Sequence, residues 1–541
     1  MSDDRPTSDE LPTEATLPGK TAPRTDVANS EALVSLYGEG LRFVGTWGKW
    51  LAWDSRRWLV DDVNAAQERA VETARVLLAE GAESFKAGKA EGDEFVMKEA
   101  QRNIAWAVSS QFRNGITAMV ALAKSKSSIA VRHQELDAHP MLLNVLNGTI
   151  DLTTGAIGPH NRSNLITKLA PVDYDPDAKC PTWDAFLDRV MGGDAELIAF
   201  LQRAIGYALT GDIREHVLLF FFGAGANGKS TFLSTIHAML GDYATPAPRG
   251  LLMRSHGPPG HETNLASLHG CRFVTCSEVE EGQAFDESLA KDLTGGDPIM
   301  CRRMREDFWS YEPTHKLFLP GNHKPSVRGD DEGIWRRMRL VPWTVTIPEA
   351  ERDGELPKKL ALELPGILAW SARGCLEWQK AGLSTPAAVN EATGTYRSEN
   401  DALGEFFRLS VRFESDVSIA RKDLREAYES FCRENGNEPL GAKRFSGRLR
   451  ERGVREGSVR KGQSVVNGWK NVRLLTDAER ATATNWGGTP AVVHTNGSHV
   501  EPTPSPDNYE PARDDDDAPR AEMSQDTLSD WLATQGIRPK E

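Results

Sequence analysis

The sequence predicts an α/β core with a phosphate-binding loop, preceded by an α-rich region and followed by a small basic α+β unit. Three observations support this class. Between about residues 215 and 345, short apolar strands alternate with helical patterns. A glycine-rich segment that ends in a lysine follows the most apolar of these strands. Residues 441–473 carry ten bases and two acids, which separates them from the rest of an acidic chain.

Length and composition favour a globular protein with several domains. The chain has 541 residues, 26% charged and 39% hydrophobic, a length that suggests two to four domains. No apolar run reaches the roughly 18 residues of a spanning helix, and residues 1–30 lack the apolar centre of a signal peptide. The six cysteines have no zinc-ligand spacing. We therefore expect a cytoplasmic protein with reduced thiols and no membrane contact.

The net charge of −14 is concentrated at the two ends of the chain. Residues 1–30 carry −3 and residues 474–541 carry −8, which leaves −3 for residues 31–473. Both ends are rich in Pro, Thr and acidic residues without periodicity, which predicts disordered tails. Within the second tail, residues 524–541 have helical spacing and predict a helix that docks on another protein. A near-neutral body with basic stretches is compatible with a nucleic-acid partner.

The internal boundaries follow from changes in pattern. Residues 31–139 combine a Trp-rich hairpin pattern with long helical patterns. We expect the tryptophans to pack in a hydrophobic core rather than to stack on nucleic-acid bases. Residues 140–210 predict short strands and helices in front of the α/β core at 211–380. A polar stretch at 381–400 predicts a linker to a separate unit at 401–473.

The strongest motif matches Gly-x-x-x-x-Gly-Lys-[Ser/Thr] at every fixed position, between an apolar strand and a helix. Glycines let backbone N–H groups converge on phosphate oxygens. Lys229 brings positive charge to the β- and γ-phosphates, and the Ser230 hydroxyl ligates Mg²⁺. A glycine-rich turn without a ligand is the alternative, and the flanking strand and helix argue against it. The predicted site for ATP and Mg²⁺ comprises Gly223, Ala224, Gly225, Ala226, Asn227, Gly228, Lys229, Ser230 and Thr231.

Two polar side chains follow two further apolar strand patterns. Glu278 comes after the pattern at 272–276, and Asn322 comes after the pattern at 316–319. We expect Glu278 to orient the attacking water or to hold Mg²⁺ through water, and Asn322 to sense the γ-phosphate. A solvated acidic turn and an ordinary Asn turn are the alternatives. Their positions after strands that follow a phosphate-binding loop favour the functional interpretation.

Two groups of arginines lie near these strands. Arg336 and Arg337 are candidates for an arginine that a neighbouring subunit delivers to a phosphate, and a surface salt-bridge network is the alternative. Arg302, Arg303 and Arg305 stand beside aromatic residues on a predicted loop or hairpin, which suits the backbone of single-stranded nucleic acid. A structural hairpin at a subunit interface is an equal alternative for these three.

The basic unit carries its charge on a predicted helix and beside a predicted hairpin. A helix followed by a wing is an arrangement that binds duplex DNA, and a merely solvated basic surface is the alternative. The candidate DNA contacts are Lys443, Arg444, Arg448 and Arg450 on the helix, and Arg460 and Lys461 at the hairpin.

The order of these motifs resembles the superfamily 3 helicase domain of phage and plasmid primase–helicases, which is akin to the poxvirus-type primase-helicase. Upstream, NGTIDLTTG and LQRAIGYALTGD resemble the domain that precedes the helicase in this family. Downstream, residues 401–473 resemble its small winged-helix unit, so the likeness covers roughly residues 140–473. The motifs that carry it are, in chain order, the glycine-rich loop, SEVEEG, LTGGDPIMCRR, LPGNHKP and EGIWRRMRLVPW.

The resemblance implies an AAA+-like hexameric ring of a phage or mobile element in a bacterial cytoplasm. It implies ATP at subunit interfaces and 3′→5′ translocation on single-stranded DNA at a fork. In such a ring Lys229 and Ser230 bind ATP and Mg²⁺, and Glu278 activates water. Asn322 is then the sensor, and either Arg336 or Arg337 is the arginine finger. A separate primase or polymerase is an expected partner.

Many members of this family carry a primase upstream of the helicase. The residues before 140 contain no convincing Asp-x-Asp plus His set for two-metal polymerisation, so we expect a helicase without its own primase site. Two other functions compete with this one. The first is a DNA-stimulated ATPase that remodels proteins without unwinding DNA, and the second is a scaffold or origin-binding protein with a degenerate nucleotide site.

Overall fold

The computed structural model describes residues 24–254, 262–303, 307–327, 332–435 and 439–483. In these ranges, no helix combines the length and the apolar character that a bilayer crossing requires. The predicted docking helix at 524–541 and the first 23 residues lie outside the described residues, as does Arg305.

The N-terminal region combines a small mixed sheet with helices. Its elements are α1 (Asp26–Tyr37), β1 (Leu41–Val44), β2 (Lys49–Trp53), β3 (Trp58–Val60), α2 (Ala65–Glu91), α3 (Glu94–Ser110), α4 (Arg113–Ala123) and β4 (Ala130–Val131). The sheet has the order β3-β2-β1-β4, with β4 parallel to β1 and the other pairs antiparallel. Trp47 and Trp58 are buried, so the tryptophan-rich segment does supply core side chains.

Helix α1 corrects the predicted N-terminal tail, because residues 26–30 belong to this helix. The Thr25 hydroxyl accepts a hydrogen bond from the Ala28 N–H at 3.3 Å and caps the helix. The buried Asn29 side chain donates to Ser110 Oγ at 2.9 Å. A capped turn held by distant contacts therefore overrides a composition that is typical of disorder.

The central part of the chain is built on a parallel sheet. Its elements are β8 (Leu218–Phe222), α7 (Lys229–Leu240), β9 (Ala244–Pro246), α8 (Glu262–Ala266), β10 (Phe273–Thr275), α9 (Glu287–Gly295), β11 (Ile299–Cys301), β12 (Trp309–Tyr311), β13 (Lys316–Gly321), α10 (Glu332–Trp335), β14 (Met338–Pro342), α11 (Leu356–Leu362), α12 (Leu364–Ala381) and α13 (Ala387–Asn400). The sheet order is β14-β8-β13-β10-β9. The hairpin β11–β12 lies outside it.

Strand β8 is buried on both faces. Leu219 and Phe221 belong to one hydrophobic cluster, which includes side chains of α7 and α12. Leu218 and Phe220 belong to a second cluster, which includes side chains of α9. Alternation between two cores is expected for a central strand of a parallel sheet covered by helices. Because all strands run in one direction, their carboxyl ends share one edge, and the glycine-rich loop lies there.

Residues 140–210 share the core of this sheet. Their elements are β5 (Leu142–Val145), β6 (Gly148–Asp151), β7 (Ala156–Gly158), α5 (Pro181–Met191) and α6 (Ala195–Ala208). Leu143, Trp183 and Phe200 are buried in the same cluster as Phe221 of β8. The boundary predicted at residue 210 therefore divides one continuous core.

The prediction of a linker at 381–400 is wrong, because α13 fills most of this stretch. Val389 and Tyr396 are fully buried, and the Leu340 N–H of β14 donates to Thr393 Oγ1 at 3.0 Å. The segment has a polar composition because only a narrow face of the helix contacts the core. Composition alone does not distinguish such a helix from a linker.

The C-terminal unit has its own hydrophobic core, formed around Phe406, Tyr428 and Trp469. Its elements are α14 (Ala402–Ser410), β15 (Val411–Arg412), β16 (Ser418–Ala420), α15 (Arg421–Glu434), α16 (Ala442–Glu451), β17 (Arg455–Lys461), β18 (Ser464–Lys470), β19 (Arg473–Leu474) and α17 (Asp477–Ala483). Strands β16, β18 and β17 form an antiparallel sheet. Residues 474–483 belong to this unit and not to a tail, because Arg473 donates to both carboxylate oxygens of Glu479 at 2.8 Å.

Candidate nucleotide-binding site

The glycine-rich loop joins β8 to α7 at the carboxyl edge of the sheet. Gly228 begins α7 with a φ of +86°, and a Cβ there would lie 2.7 Å from Val190 Cγ1. Only glycine fits both constraints. The residue before α7 is a glycine and supplies no capping side chain. Among the described residues, the Lys229 N–H lies 3.5 Å from Asn227 Oδ1, and the N–H groups that follow it in the first turn are available to a ligand. Free N–H groups at a helix N-terminus attract an anion.

Hydrogen bonds to the chain after β14 hold this loop in shape. The buried Asn227 side chain donates to the Trp343 carbonyl at 3.2 Å and to the Ala224 carbonyl. The Ala226 carbonyl accepts from the Ile347 N–H at 2.8 Å. The loop is thus fixed before any ligand arrives, which lowers the cost of ordering it around phosphates.

Lys229 is only 4% exposed and lies at the centre of the site. Its Nζ donates to Gly223 O at 2.7 Å, to Asn322 Oδ1 at 3.0 Å and to Asn227 Oδ1 at 3.2 Å. Burial lowers the pKa of Lys229, and the Glu278 carboxylate acts in the opposite direction. Since its bonded partners are neutral, a phosphate would supply the counter-charge that this lysine lacks.

A cavity of about 210 Å³ opens beside the lysine. Gly223 and Ala224 are not among its lining residues, and their carbonyls instead accept hydrogen bonds from Lys229 Nζ. The other predicted nucleotide-binding residues line the cavity together with the two polar residues predicted from the neighbouring strands. The lining residues are Gly225, Ala226, Asn227, Gly228, Lys229, Ser230, Thr231, Glu278 and Asn322.

Backbone pairing brings Glu278 and Asn322 together. Glu278 lies three residues beyond the end of β10, and Val279 forms a parallel bridge with Gly321. Gly321 precedes Asn322 in the chain, so the two side chains extend from adjacent segments of the same edge. Glu280 is exposed as well, but it does not line the cavity.

The donor set fits Mg²⁺ only in the company of a phosphate ligand. Ser230 and Glu278 provide an exposed hydroxyl and an exposed carboxylate at the cavity. Among the described residues, no group of three or more His, Cys, Asp or Glu side chains could hold a metal ion. Mg²⁺ is often held by one or two protein oxygens plus substrate phosphates, and these two residues match that pattern.

The two candidate finger arginines lie at the opposite edge of the sheet. Met338, the first residue of β14, pairs with Leu218, the first residue of β8. Arg336 and Arg337 precede β14, whereas the glycine-rich loop follows β8. A strand of five residues, about 16 Å long, separates these edges. The arginines are therefore remote from the cavity of their own chain.

The two arginines have different surroundings. Arg337 is half-buried, and its Nη1 donates to the Gly333 carbonyl at 2.8 Å. Arg336 is exposed, and among the described residues its guanidinium has no hydrogen-bond or ion-pair partner. Arg336 is therefore the better placed of the two to meet another molecule.

Arg303 of the hairpin β11–β12 packs against the N-terminal region. Its guanidinium lies 4.8 Å from the ring centre of Trp47 and 5.9 Å from that of Trp309. The His133 ring Nε2 lies 3.0 Å from the Ser310 carbonyl oxygen. These contacts favour the structural alternative for Arg303, since a guanidinium that contacts the rings of two tryptophans anchors the hairpin.

Two other side chains of the same hairpin, Phe308 and Met300, are exposed. The Arg302 guanidinium lies 4.7 Å from the ring centre of Phe308, and Phe308 is 52% exposed. Met300 on the neighbouring strand is 64% exposed. An arginine over an exposed aromatic ring is compatible with contact to a nucleic-acid strand.

The C-terminal unit contains a basic groove of about 660 Å³. Sequence reasoning missed the three basic residues that begin α15, because it considered only the charge of residues 441–473. Their spacing of one and four positions at a helix start was the available signal. The groove is lined by Arg421, Lys422, Arg425, Ala442, Lys443, Phe445, Ser446, Arg450 and Asn467.

Ion pairs divide the predicted DNA contacts of this unit into two sets. Three of them have carboxylate partners: Arg448 with Glu451 at 3.0 Å, Arg450 with Glu456 at 2.5 Å, and Lys461 with Asp423 at 2.5 Å. The other three are exposed and make no ion pair among the described residues. They are Lys443, Arg444 and Arg460.

Two family models match the chain. Residues 30–192 match the family described as "D5 N terminal like". Residues 221–337 match a family of unknown function, DUF5906. The second match runs from the end of β8 to Arg337, so it includes every predicted catalytic residue.

Curated relatives are viral. A protein of Acanthamoeba polyphaga mimivirus named "Putative helicase L207/L206" is 24% identical over 326 residues, 55% of this chain and 34% of that protein. "Putative helicase 022R" of Frog virus 3 is 25% identical over 305 residues, 53% of this chain and 31% of that protein. "Putative primase C962R" of African swine fever virus is 22% identical over 254 residues, 45% of this chain and 26% of that protein. The matched region thus spans about a third of these relatives or less.

Among solved structures, the A form apo structure of the NrS-1 C-terminal region matches 81% of this chain and 98% of its own length. The sequence identity of the two is 11% and the TM-score is 0.45.

Proposed function

We propose that this chain belongs to the primase-helicase family and is an ATP-driven DNA helicase that serves the replication of a phage or mobile element. One observation carries the proposal. Buried Lys229 bonds to both the glycine-rich loop and Asn322, at a cavity that Glu278 also lines. This combination of a cation, an acid and an amide is what phosphoryl transfer from ATP to water requires.

ATP binding exchanges the partners of Lys229. The β- and γ-phosphate oxygens take the place of Asn322 Oδ1, and the backbone N–H groups at the start of α7 donate to the phosphates. The negative charge of the triphosphate favours the protonated lysine and so offsets the pKa decrease that burial causes. The Asn322 amide, once released, is free to bond the γ-phosphate.

Hydrolysis then depends on Glu278. Its carboxylate accepts a hydrogen bond from the attacking water, aligns it with the γ-phosphorus and takes up its proton. Asn322 helps to hold the γ-phosphate in place. Mg²⁺, held through Ser230, neutralises charge on the phosphates when it is bound.

The position of Arg336 makes the site of a single chain incomplete. A cation that stabilises the transition state contributes about 10³–10⁵ in rate, and Arg336 is too far from its own cavity to do so. We assign it to the cavity of a neighbouring copy, and we propose that the head-to-tail contacts close into a ring such as a hexamer. Arg337 is less suited because its guanidinium is committed to the Gly333 carbonyl.

DNA contacts are assigned to two surfaces. The C-terminal unit runs helix, two short strands, two helices and a hairpin from α14 to β18, an order that supports its assignment as a winged helix. In that assignment α16 and the hairpin β17–β18 would contact duplex DNA at the fork. Arg302, which packs on Phe308 of the hairpin β11–β12, would contact the translocated single strand.

The first test measures ATP hydrolysis with and without single-stranded DNA, with Lys229→Ala as the blank. We expect hydrolysis that DNA stimulates and the substitution abolishes. An ATP hydrolysis rate that is the same with and without DNA would favour the protein-remodelling ATPase. No hydrolysis by a protein that assembles into rings would favour the scaffold.

The second test measures strand displacement on forked DNA. We expect ATP-dependent unwinding that the Lys443→Ala/Arg444→Ala variant weakens through a roughly tenfold lower affinity for the fork, since each lost phosphate contact lowers binding. The matched control is Arg448→Ala, because Arg448 is ion-paired within the unit. ATPase activity without displacement would contradict the helicase assignment.

A further inference from the structure

The last turns of α13 contact both the segment that follows Asn322 and the helix that precedes Arg336. We propose that the Arg397–Glu332 ion pair, which joins α13 to α10, positions Arg336 for the neighbouring subunit, and so makes its delivery depend on the nucleotide site at Asn322. The inference rests on the proposed function and deepens it. Arg397 and Glu332 touch no substrate in this scheme, so they are positioning residues.

At its C-terminal end, α13 holds the segment that follows Asn322. The Lys324 ammonium group lies 2.6 Å from Glu399 Oε2. The Val327 N–H donates to Asn400 Oδ1 at 2.9 Å. The chain immediately after the sensor residue is therefore fixed to the last turn of α13.

The same turns of α13 hold α10, the helix that precedes Arg336. The Arg397 guanidinium donates to both carboxylate oxygens of Glu332, at 3.1 and 2.5 Å. The Tyr396 ring meets the Trp335 ring edge-on, with their centres 5.2 Å apart. One face of α13 thus fixes the residue before Arg336 by packing and the start of its helix by a two-point ion pair.

Helix α10 needs this support because it is one turn long. It comprises only Glu332–Trp335, and an isolated turn does not stay helical. The orientation of the Arg336 side chain therefore depends on the contacts that hold α10 in place. A bidentate arginine–carboxylate pair fixes orientation as well as distance.

The ion pair itself adds little to folding. The Arg397 and Glu332 side chains are 49% and 68% exposed, and exposed pairs contribute little stability. The buried Tyr396–Trp335 contact provides the packing. Removing Arg397 should therefore leave a folded protein in which α10 is less well directed.

This geometry links two nucleotide sites. Lys229 bonds to Asn322 at one end of the path, and Arg336 stands at the other end. When ATP takes Lys229 away from Asn322, the segment held by Glu399 and Asn400 is free to adjust, and α13 transmits the adjustment to α10. Each subunit would then report its own nucleotide state to its neighbour.

The first experiment compares steady-state ATPase kinetics of the full-length protein with DNA present. Arg397→Ala should lower kcat about tenfold, since small misplacements of a catalytic group cost up to about 10², and should leave KM within about twofold. The charge swap Glu332→Arg/Arg397→Glu should restore most of the loss. The control is Arg162→Ala, which removes an exposed pair with Glu39 at 2.6 Å in another part of the chain. An unchanged kcat for Arg397→Ala would overturn the proposal.

The second experiment locates the defect by mixing variants. Arg336→Ala subunits keep an intact cavity, and Glu278→Gln subunits keep both the Lys229–Asn322 contact and the arginine, so mixed rings should recover activity that neither variant has alone. Replacing the second partner by Glu278→Gln/Arg397→Ala should abolish most of that recovery, because the defect then lies in the donated arginine. Full recovery with the double variant would overturn the positioning role. No recovery in either mixture would overturn the trans arginine, and with it the proposed ring mechanism.

Discussion

Two buried lysines lie at opposite edges of the same sheet, and their roles differ. Lys229 at the carboxyl edge is 4% exposed and Lys316 at the amino edge is 2% exposed. Both donate to backbone carbonyls, Lys229 to Gly223 and Lys316 to Thr210 and Thr314. Burial lowers the pKa of both ammonium groups.

The two lysines differ in what lies beside the ammonium group. Lys229 borders a cavity of about 210 Å³, and the Glu278 carboxylate lies near enough to oppose the decrease in its pKa. Lys316 lies 4.6 Å from the ring centre of Tyr207 and beside the cation Arg272, which lowers its pKa further, while the Asp212 carboxylate opposes the decrease. Burial, carbonyl partners and a nearby acid therefore do not mark a catalytic lysine. An open cavity beside the ammonium group does.

The largest expected effect comes from Lys229→Met. We expect kcat for ATP to fall by at least about 10³, because the lysine stabilises charge on the phosphates in the transition state. The fold should persist, since Met fills a similar volume and the loop keeps its own bonds to Trp343 and Ile347. Turnover numbers and the urea midpoint are the measurements. A kcat within tenfold of that of the parent protein would contradict the catalytic role of Lys229 at the carboxyl edge.

Glu278→Gln tests the acid that lines the cavity beside Lys229. The amide keeps the shape of the side chain and loses the ability to take a proton, so kcat should fall about 10²–10⁴-fold. ATP affinity should change little, because Lys229 and the α7 N–H groups carry the binding. Pre-steady-state binding of a fluorescent nucleotide separates the two effects. Glu280→Gln is the matched control, since Glu280 is exposed two residues away and does not line the cavity.

Lys316→Met should show the reverse pattern. The substitution leaves the buried Thr210 carbonyl without its lysine donor, which costs about 1–3 kcal/mol, while kcat and KM for ATP stay within about twofold. Urea unfolding followed by tryptophan fluorescence, with ATPase kinetics on the same samples, measures both. A more stable variant would mean that burying the ammonium group costs more than its hydrogen bonds return.

The contrast also explains what could be predicted from the sequence. Lys229, Glu278 and Asn322 each follow a strand of one parallel sheet, so local patterns were enough to place them at a common edge. The choice between Arg336 and Arg337 was not available, because adjacent residues share every local signal and differ only in exposure.

Contacts between segments that are distant in the chain could not be predicted from the sequence either. Arg303 packs on Trp47, which lies more than two hundred residues away. Helix α13 was taken for a linker because its contacts with Trp335 and Leu340 come from the folded chain and not from its own composition. Single-sequence reasoning sees amphipathic periodicity, and a helix with a narrow buried face offers little of it.

A substitution of His315, which has the smallest expected effect, tests how well the amino edge of the sheet excludes water. Burial, together with the charge of Lys316, lowers the pKa of His315 to about 4, whereas an unfolded histidine titrates near 6.5. Between these values the unfolded state binds a proton that the folded state does not, so stability falls as pH falls, by up to about 1.4 kcal/mol per pH unit.

His315→Leu removes this proton uptake and should therefore lose less stability than the parent protein when the pH is lowered from 7 to 5. The measurement is the urea midpoint at both pH values, with His139→Leu as the control, because His139 is exposed. Equal losses for the parent protein and His315→Leu would mean that water reaches the amino edge. Lys316 would then differ from Lys229 in its neighbours, which include the cation Arg272, and not in its isolation from water.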